Sequence, residues 1–328
     1  MKVLVTGATG FVGGNVARAL MARGYEVRAL ARKGSSTLTL DGTGAEVVEG
    51  DVRDAESVAR ALAGCRAVVH CAALYAFWLR NPRAIYETNV DGTRIVLEQS
   101  RKAGVERVVH CSSQAAIGLP ESGLASEATD AEPQRLAGHY QRSKYLAEQE
   151  ALRVARQGLP VVVVNPTAPI GPWDVKPTRT GAIVLDFMRG RMPAYVQVGM
   201  NLVAVEDVAA GHVLALERGR PGERYILGHR NLWLGEVLRM LADITGRRAP
   251  RLRLPYWLVL ALAYADAAVE GGVLRRPPYI PLGGVKEMRR PRFMDCSKAI
   301  RELGLHQSPI EGALEKAVRW FRDHGYAK

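Results

Sequence analysis

Three glycines within the first thirteen residues constrain the fold more than any other feature of this chain. Gly7, Gly10 and Gly13 stand in VTGATGFVGG. They follow the short apolar run Lys2–Thr6 and precede Phe11–Arg23, where apolar residues return with the period of a helix. A tight turn, close backbone approach to a pyrophosphate and close packing of helix on strand each exclude a Cβ. The helix that follows presents its unpaired N–H groups and the positive end of its dipole to the phosphates. Gly7, Thr9, Gly10, Phe11, Val12 and Gly13 are the expected dinucleotide contacts of this turn.

Strand and helix signals then alternate, the pattern of an α/β doubly wound parallel sheet of the Rossmann kind. Strands are expected at Lys2–Thr6, Tyr25–Ala31, Ala45–Glu49, Ala67–Cys71, Arg107–Ser112 and Pro160–Asn165. Helices are expected at Phe11–Arg23, Ala55–Ala63, Arg83–Ala103 and His139–Gln157. After Asn165 the texture changes, and Pro166, Pro169, Pro172, Pro177 and Pro193 break the chain around one helix, Gly181–Arg189. Residues 1–165 read as the dinucleotide-binding domain, and 202–218 as a strand (Asn201–Val205) and helix (Glu206–Glu217) returning to it. Residues 166–328 read as a smaller, mostly helical substrate-binding region over the carboxyl ends of the strands, where such sheets bind ligands. Trp173–Arg191 is expected to form a mobile cover over the substrate.

The net charge of +12 raises the question of nucleic acid. The basic residues are scattered singly or in pairs, such as Arg247–Arg248, Arg275–Arg276 and Arg289–Arg290, without the interleaved aromatics of a single-strand binder. No nucleic-acid partner is expected, and the charge reads as a solvated basic surface. The longest apolar stretch, Leu254–Ala265, is too short for the ~20 residues of a membrane span. It reads as a core helix of the second region; weak contact with a lipid or membrane surface, beside Arg251 and Arg253, is the alternative. Cys65, Cys71, Cys111 and Cys296 have no metal-ligand spacing, so no metal is expected. With Lys2 leading straight into the first strand, a cytoplasmic protein without a signal peptide is expected. Its partner is a small-molecule substrate, and a homodimer is left open.

Tyr140 and Lys144 stand four residues apart in HYQRSKYLAE, on one face of a helix. A phenol titrates near ~10 in water, and a fixed neighbouring ammonium favours the phenolate. The pair suits Tyr140 as acid/base beside a bound dinucleotide, with Lys144 tuning it and reaching ribose hydroxyls. A short hydroxyl at the end of an adjacent strand would hold the substrate oxygen. Ser112 and Ser113 both stand there, in RVVHCSS, and Asn89, in ETNVDGT, is a candidate to anchor the network through its amide. Cofactor choice turns on the end of the second strand, where NAD-binding chains place an acid for the ribose 2′-OH. This strand ends ALARKGSS, and the cations Arg32 and Lys33 suit a 2′-phosphate. NADP(H) is expected over NAD(H).

These residues resemble the extended short-chain dehydrogenases/reductases. The likeness runs through the glycine turn, EGDVRD, HCAA at His70–Ala73, TNVDGT, CSSQAAIG, Tyr140/Lys144 and NPTAPIGP, nearly the whole chain. Within that family, NPTAPIGPWDVKPTRTG, GRMPAYVQVGMNLVAVEDVAAGHVLALERG and ERYILGHRNL resemble the dihydroflavonol-reductase-like branch, in particular hopanoid-associated sugar epimerases. That label implies hopanoid-lipid metabolism, although no residue identifies a hopanoid. The resemblance places the catalytic serine five residues before Gly118, at Ser113. It implies that Asp51 and Val52 contact the adenine, that Ala72 and Ala73 line the cofactor, and that Pro166 with Ile170 borders the nicotinamide. Arg32 stands where the reductase branch also carries an arginine. Gln114 and Ala115 replace the Asp-Glu of the sugar 4,6-dehydratases, so dehydration is not expected. Tyr75, Trp78, Trp173, Lys176 and Arg179 are the candidate substrate contacts.

Three functions compete. One is an NADPH-using reductase of a ketone or aldehyde. Another is a nucleotide-sugar epimerase that retains NAD(H), with Lys176, Arg179 and Arg191 available to a pyrophosphate. The third is a non-catalytic nucleotide-binding protein, against which the complete Ser/Tyr/Lys set argues.

Overall fold

The structure, a computed structural model, describes residues 1–76, 78–136, 138–274 and 276–327. The β-branched runs form β1 (Lys2–Thr6), β2 (Glu26–Ala31), β3 (Glu46–Glu49), β4 (Ala67–His70), β5 (Arg107–Cys111) and β6 (Val161–Pro166), each within a residue of its expected place. Six more strands follow: β7 (Ala168–Ile170), β8 (Ala194–Val196), β9 (Gly199–Ala204), β10 (Arg224–Leu227), β11 (Arg230–Trp233) and β12 (Leu252–Leu254). The main sheet runs β3–β2–β1–β4–β5–β6–β10, all parallel. Strand order reverses between β1 and β4, so the connections leave to opposite faces and a crevice opens at those carboxyl ends.

Between the strands lie α1 (Phe11–Ala22), α2 (Ala55–Leu62), α3 (Arg83–Tyr86), α4 (Gly92–Lys102) and α5 (His139–Arg156). A π-turn at Glu87–Asp91 joins α3 to α4, within the single helix expected there. Downstream come α6 (Arg179–Met188), α7 (Val205–Arg218), α8 (Leu234–Thr245), α9 (Tyr256–Asp266), α10 (Leu282–Glu287), α11 (Ser297–Leu303) and α12 (Ile310–Asp323). On one face of the sheet Val3, Val5, Val69 and Val109 are buried with Val16 and Leu20 of α1 and Val208 and Val213 of α7. On the other, Leu4, Val68, Val108 and Val163 meet residues of α2, α4 and α5. A further core forms where Phe187, Leu202, Leu238 and Phe321 meet.

Two elements differ from the sequence reading. The strand expected at Asn201–Val205 is β9, which joins β7 and β11 in a separate three-stranded sheet. The place beside β6 goes to β10, whose Tyr225, Ile226 and Leu227 are fully buried. Only the helix of that expected pair, α7, packs on the main sheet. The expected core helix is α9, and it buries Ala263 alone of its eleven residues.

Candidate active site

Gly7 turns the chain at φ +72° as it leaves β1. A Cβ there would lie 2.6 Å from the Ala72 backbone nitrogen, and one on Gly13 would lie 2.2 Å from the Gly7 carbonyl oxygen. Backbone atoms cannot yield as side chains do, so both positions require glycine. The turn therefore brings β1, the start of α1 and the Ala72–Ala73 segment after β4 together at the point of strand reversal. α1 starts at Phe11 behind Gly10, and no side chain caps it. The N–H groups of its first turn remain available to an anion.

Beyond β2, Arg32 and Lys33 are exposed. Arg32 acts on Asp51, whose carboxylate accepts from Arg53 Nη2 at 2.8 Å and Nε at 3.1 Å. The Arg53 hydrogen bonds, with Arg32 adding a smaller share, hold the Asp51 carboxyl below its usual range. Two arginines, Arg53 and Arg32, thus act on one carboxylate at this end of the crevice. Arg53 escaped the sequence reading because it reads as an ordinary turn residue before α2. Val52 is buried against Gly92, and Ile170 is buried with Val184 and Leu202. Pro166, at the end of β6, is buried as well.

The end of β5 and the first turn of α5 bring Ser113 and Tyr140 into a side-chain hydrogen bond. Ser113 also accepts from the Ala115 backbone N–H at 3.1 Å, whereas the neighbouring Ser112 hydroxyl is buried without a hydrogen-bond partner among the described residues. The Tyr140 phenol is pushed up by burial, with Tyr75 adding to the effect and the Ser113 bond opposing it. The expected lowering by Lys144 is not what governs the phenol here. The buried Lys144 ammonium donates to the Cys111 carbonyl at 2.7 Å, and its own pKa is lowered by burial. Asn89 sits in the π-turn, fully inside. Its amide oxygen accepts from Leu74 N at 2.6 Å, and its nitrogen donates to Leu74 O at 3.2 Å and Ser143 Oγ at 2.9 Å. Ser143 Oγ in turn donates to the Tyr140 carbonyl at 2.8 Å. Asn89 thus ties the loop after β4 to the turn of α5 that carries Tyr140, which makes it a positioning residue.

On the substrate side, Tyr75 meets Tyr140 edge-on with ring centroids 4.8 Å apart. Arg179 pairs with Glu287 at 3.4 Å. Glu287 is held up by burial, an effect opposed by Arg292 and Arg179 and by a hydrogen bond from Gln141, while Arg292 reaches the Gln114 carbonyl at 3.5 Å. Glu287 and Arg292 carry no sequence motif, and only the return of the chain after α9 brings them here. Trp78 lies near Gly271, and Lys176 is exposed. Trp173 is committed to packing: Arg18 lies 3.6 Å over its ring, and Trp320 and His324 flank it. The buried Asp174 accepts from Thr178 N and Oγ1, and burial pushes its carboxyl up to about 6. Within the expected cover, 173–191, Val184, Leu185, Phe187 and Met188 of α6 are buried, while Lys176, Pro177 and Arg189–Arg191 are exposed.

Sequence spacing also concealed one group. Cys71 and Cys111 follow or end adjacent strands, and with His212 of α7 they bring their ligating atoms within 4.8 Å of one another. Cys111 and His212 are buried, and the group lies beneath the Ser113 strand end.

The sequence profile described as the NAD dependent epimerase/dehydratase family matches residues 3–228. A Synechocystis sp. protein provisionally named dihydroflavonol 4-reductase is 48% identical, over 99% of this chain and 95% of its own length. Sterol demethylase protein B of Methylococcus capsulatus is 37% identical over 99% of each chain. The solved structure of a nucleoside-diphosphate-sugar epimerase from Pseudomonas aeruginosa matches with a TM-score of 0.83 at 28% identity, over 100% of this chain and 99% of its own. The glycine turn at the strand reversal and the Ser/Tyr/Lys set beside it lie within the matched span. The chain belongs to the NAD-dependent epimerase/dehydratase family of extended short-chain dehydrogenases/reductases.

Proposed function

We propose that this NAD(P)-dependent enzyme uses NADP(H) to interconvert a carbonyl and a secondary alcohol, with Tyr140 as acid/base and Ser113 holding the substrate oxygen. The Ser113–Tyr140 hydrogen bond at the carboxyl edge of the sheet carries the reading. The crevice fits a dinucleotide: two glycine Cβ positions are filled by backbone, and the start of α1 is uncapped. Gly7–Gly13, with the first turn of α1, would hold the pyrophosphate. Arg32 and Lys33 would hold a 2′-phosphate, and Ala72, Ala73 and Pro166 would border the rest. Once bound, the nicotinamide supplies or accepts the hydride.

The chain's own work is to move one proton. As the carbonyl oxygen gains charge, Tyr140 Oη passes its proton to it while Ser113 Oγ donates a hydrogen bond to the same oxygen. Lys144, one turn along α5 and held at the Cys111 carbonyl, would donate to the ribose hydroxyls of the bound dinucleotide. The Arg179–Glu287 pair favours reduction over the nucleotide-sugar reading, since Arg179 already faces a carboxylate.

The two serines separate by role. Ser113→Ala should lower kcat ~10²-fold, as loss of one oxyanion donor does. Ser112→Ala removes a buried hydroxyl that has no partner, so its melting temperature should hold or rise by the equivalent of up to ~1 kcal/mol, with kcat unchanged. Steady-state kinetics and thermal melts of both variants check this, and a larger kcat loss in Ser112→Ala would move the site by one residue.

Cofactor choice is tested by titrating wild type and Arg32→Ala with NADPH and NADH. A guanidinium meets a phosphate through charge-assisted bonds worth ~1.5–3 kcal/mol, so the variant should lose NADPH affinity roughly tenfold to a hundredfold. NADH affinity should stay the same. Tighter NADH binding by wild type would favour the epimerase, which recycles a retained cofactor.

A further inference from the structure

α9 is built like an interior helix and is left outside. Its sequence, YWLVLALAYAD, has no charged residue before Asp266 and no polar face. A helix apolar on every side ordinarily lies in a core or in lipid. Trp257 is 68% exposed, Leu262 47% and Tyr264 51%, and the chain just beyond exposes Val269 at 52% and Tyr279 at 86%. At 11 residues α9 spans ~16 Å, about half of a bilayer's apolar thickness, and no helix among the described residues is long and apolar enough to cross a membrane. The outer face of α9 is therefore suited to lie along a surface.

The charge around it identifies that surface. Residues 247–290 hold nine Lys and Arg against three Asp and Glu, which is +6 of the chain's +12 within 44 residues. Two of the three acids are engaged inward: Asp266 accepts from the Ile280 backbone N–H at 2.6 Å, and Glu287 pairs with Arg179. Arg251, Arg253, Lys286, Arg289 and Arg290 are exposed. An apolar helix flanked by cations matches the headgroup boundary of an anionic bilayer, where apolar side chains enter the acyl region and Lys or Arg stay with the phosphates.

We propose that the α9 face, with its flanking arginines, docks this protein peripherally on anionic membranes. The docked face adjoins the candidate site. Lys286 lies 5.3 Å from the Tyr264 ring, its neighbour Glu287 pairs with Arg179, and Trp78 lies near Gly271 just past α9. Docking would bring the substrate side close to the lipid.

Co-sedimentation of the full chain with vesicles of phosphatidylglycerol and phosphatidylcholine in equal parts tests the proposal, with pure phosphatidylcholine vesicles as control. Binding should require the anionic lipid and fall with added salt. Arg251→Glu/Arg253→Glu should weaken it at least about tenfold, and Trp257→Glu/Leu262→Glu about as much. Trp257→Phe keeps an aromatic ring at an exposed position, so the fold is retained. Lipid carrying brominated chains should then quench wild-type fluorescence more than that of Trp257→Phe. Three results would overturn the proposal: no sedimentation with anionic vesicles at low salt, equal quenching of the two proteins, or a wild-type dimer that Leu262→Glu dissociates and that ignores vesicles. The last would mean that a second copy of the chain covers α9.

Discussion

Tyr140→Phe should lower kcat by roughly 10²–10⁴-fold, the usual contribution of a positioned general acid, while dinucleotide affinity stays unchanged. Phenylalanine keeps the ring, its edge-on packing against Tyr75 and the burial. What it lacks is the proton and the hydrogen bond to Ser113. The environment of the phenol also sets a direction. Burial, with Tyr75 behind it, holds Tyr140 protonated well above neutral pH. It is thus charged with a proton for carbonyl reduction across the physiological range. Alcohol oxidation needs the phenolate, so the oxidative rate should climb with pH throughout the accessible alkaline range, and reduction should be flat around neutrality. Steady-state rates in both directions for wild type, with NADPH binding to both proteins followed by fluorescence, check these expectations. A loss under about tenfold in Tyr140→Phe would remove Tyr140 from the proton path and leave the task to a bound water.

Much of this architecture could be read from local sequence because each buried parallel strand is a short run of β-branched residues. AVVH, RVVHC and VVVVNP announce themselves without knowledge of their neighbours. So does the glycine turn, whose requirement is backbone geometry within ten residues. Legibility ends where an element is defined by what lies across from it. β10 is four residues, RYIL, and becomes a strand because β6 offers an unpaired edge. β9 carries the same kind of sequence yet pairs with β7 and β11. Trp173 looks like a loop aromatic free for a ligand until Arg18, 155 positions earlier, lies over it. Apolarity alone promised that α9 would be buried, and among the described residues the fold fully buries Ala263 alone of it. The candidate site divides in the same way. Ser113, Tyr140 and Lys144 belong to compact motifs, whereas Glu287 and Arg292 gain meaning only through Arg179 and the Gln114 carbonyl, which folding brings to them.

Glu148→Ala should destabilise the protein by ~3–5 kcal/mol, the cost of leaving a buried charge without its partner. Glu148 is fully buried on α5, one turn beyond Lys144. Its carboxylate accepts from Arg224 Nη1 of β10 at 3.1 Å and from Asn165 Nδ2 of β6 at 2.6 Å. Asn165 Nδ2 also donates to the Ser113 carbonyl at 3.1 Å. One carboxylate therefore ties the seventh strand, the sixth strand and the strand end that carries Ser113 to the helix that carries Tyr140. The Arg224 side chain is 13% exposed, and its other carboxylate neighbour, Asp130, is 93% exposed. A solvated partner of that kind contributes ~0–1 kcal/mol and cannot replace Glu148. For a chain of this size each kcal/mol lowers the melting temperature by ~1.5 °C, so a drop of roughly 4–7 °C is expected. Removing both charges in Glu148→Ala/Arg224→Ala should lose much less than the sum of the two single losses, because neither charge is then stranded. Circular-dichroism melts of the three variants measure the coupling. Additive losses would show that Arg224 finds full solvation without Glu148, and would make the pair incidental to how Ser113 is held.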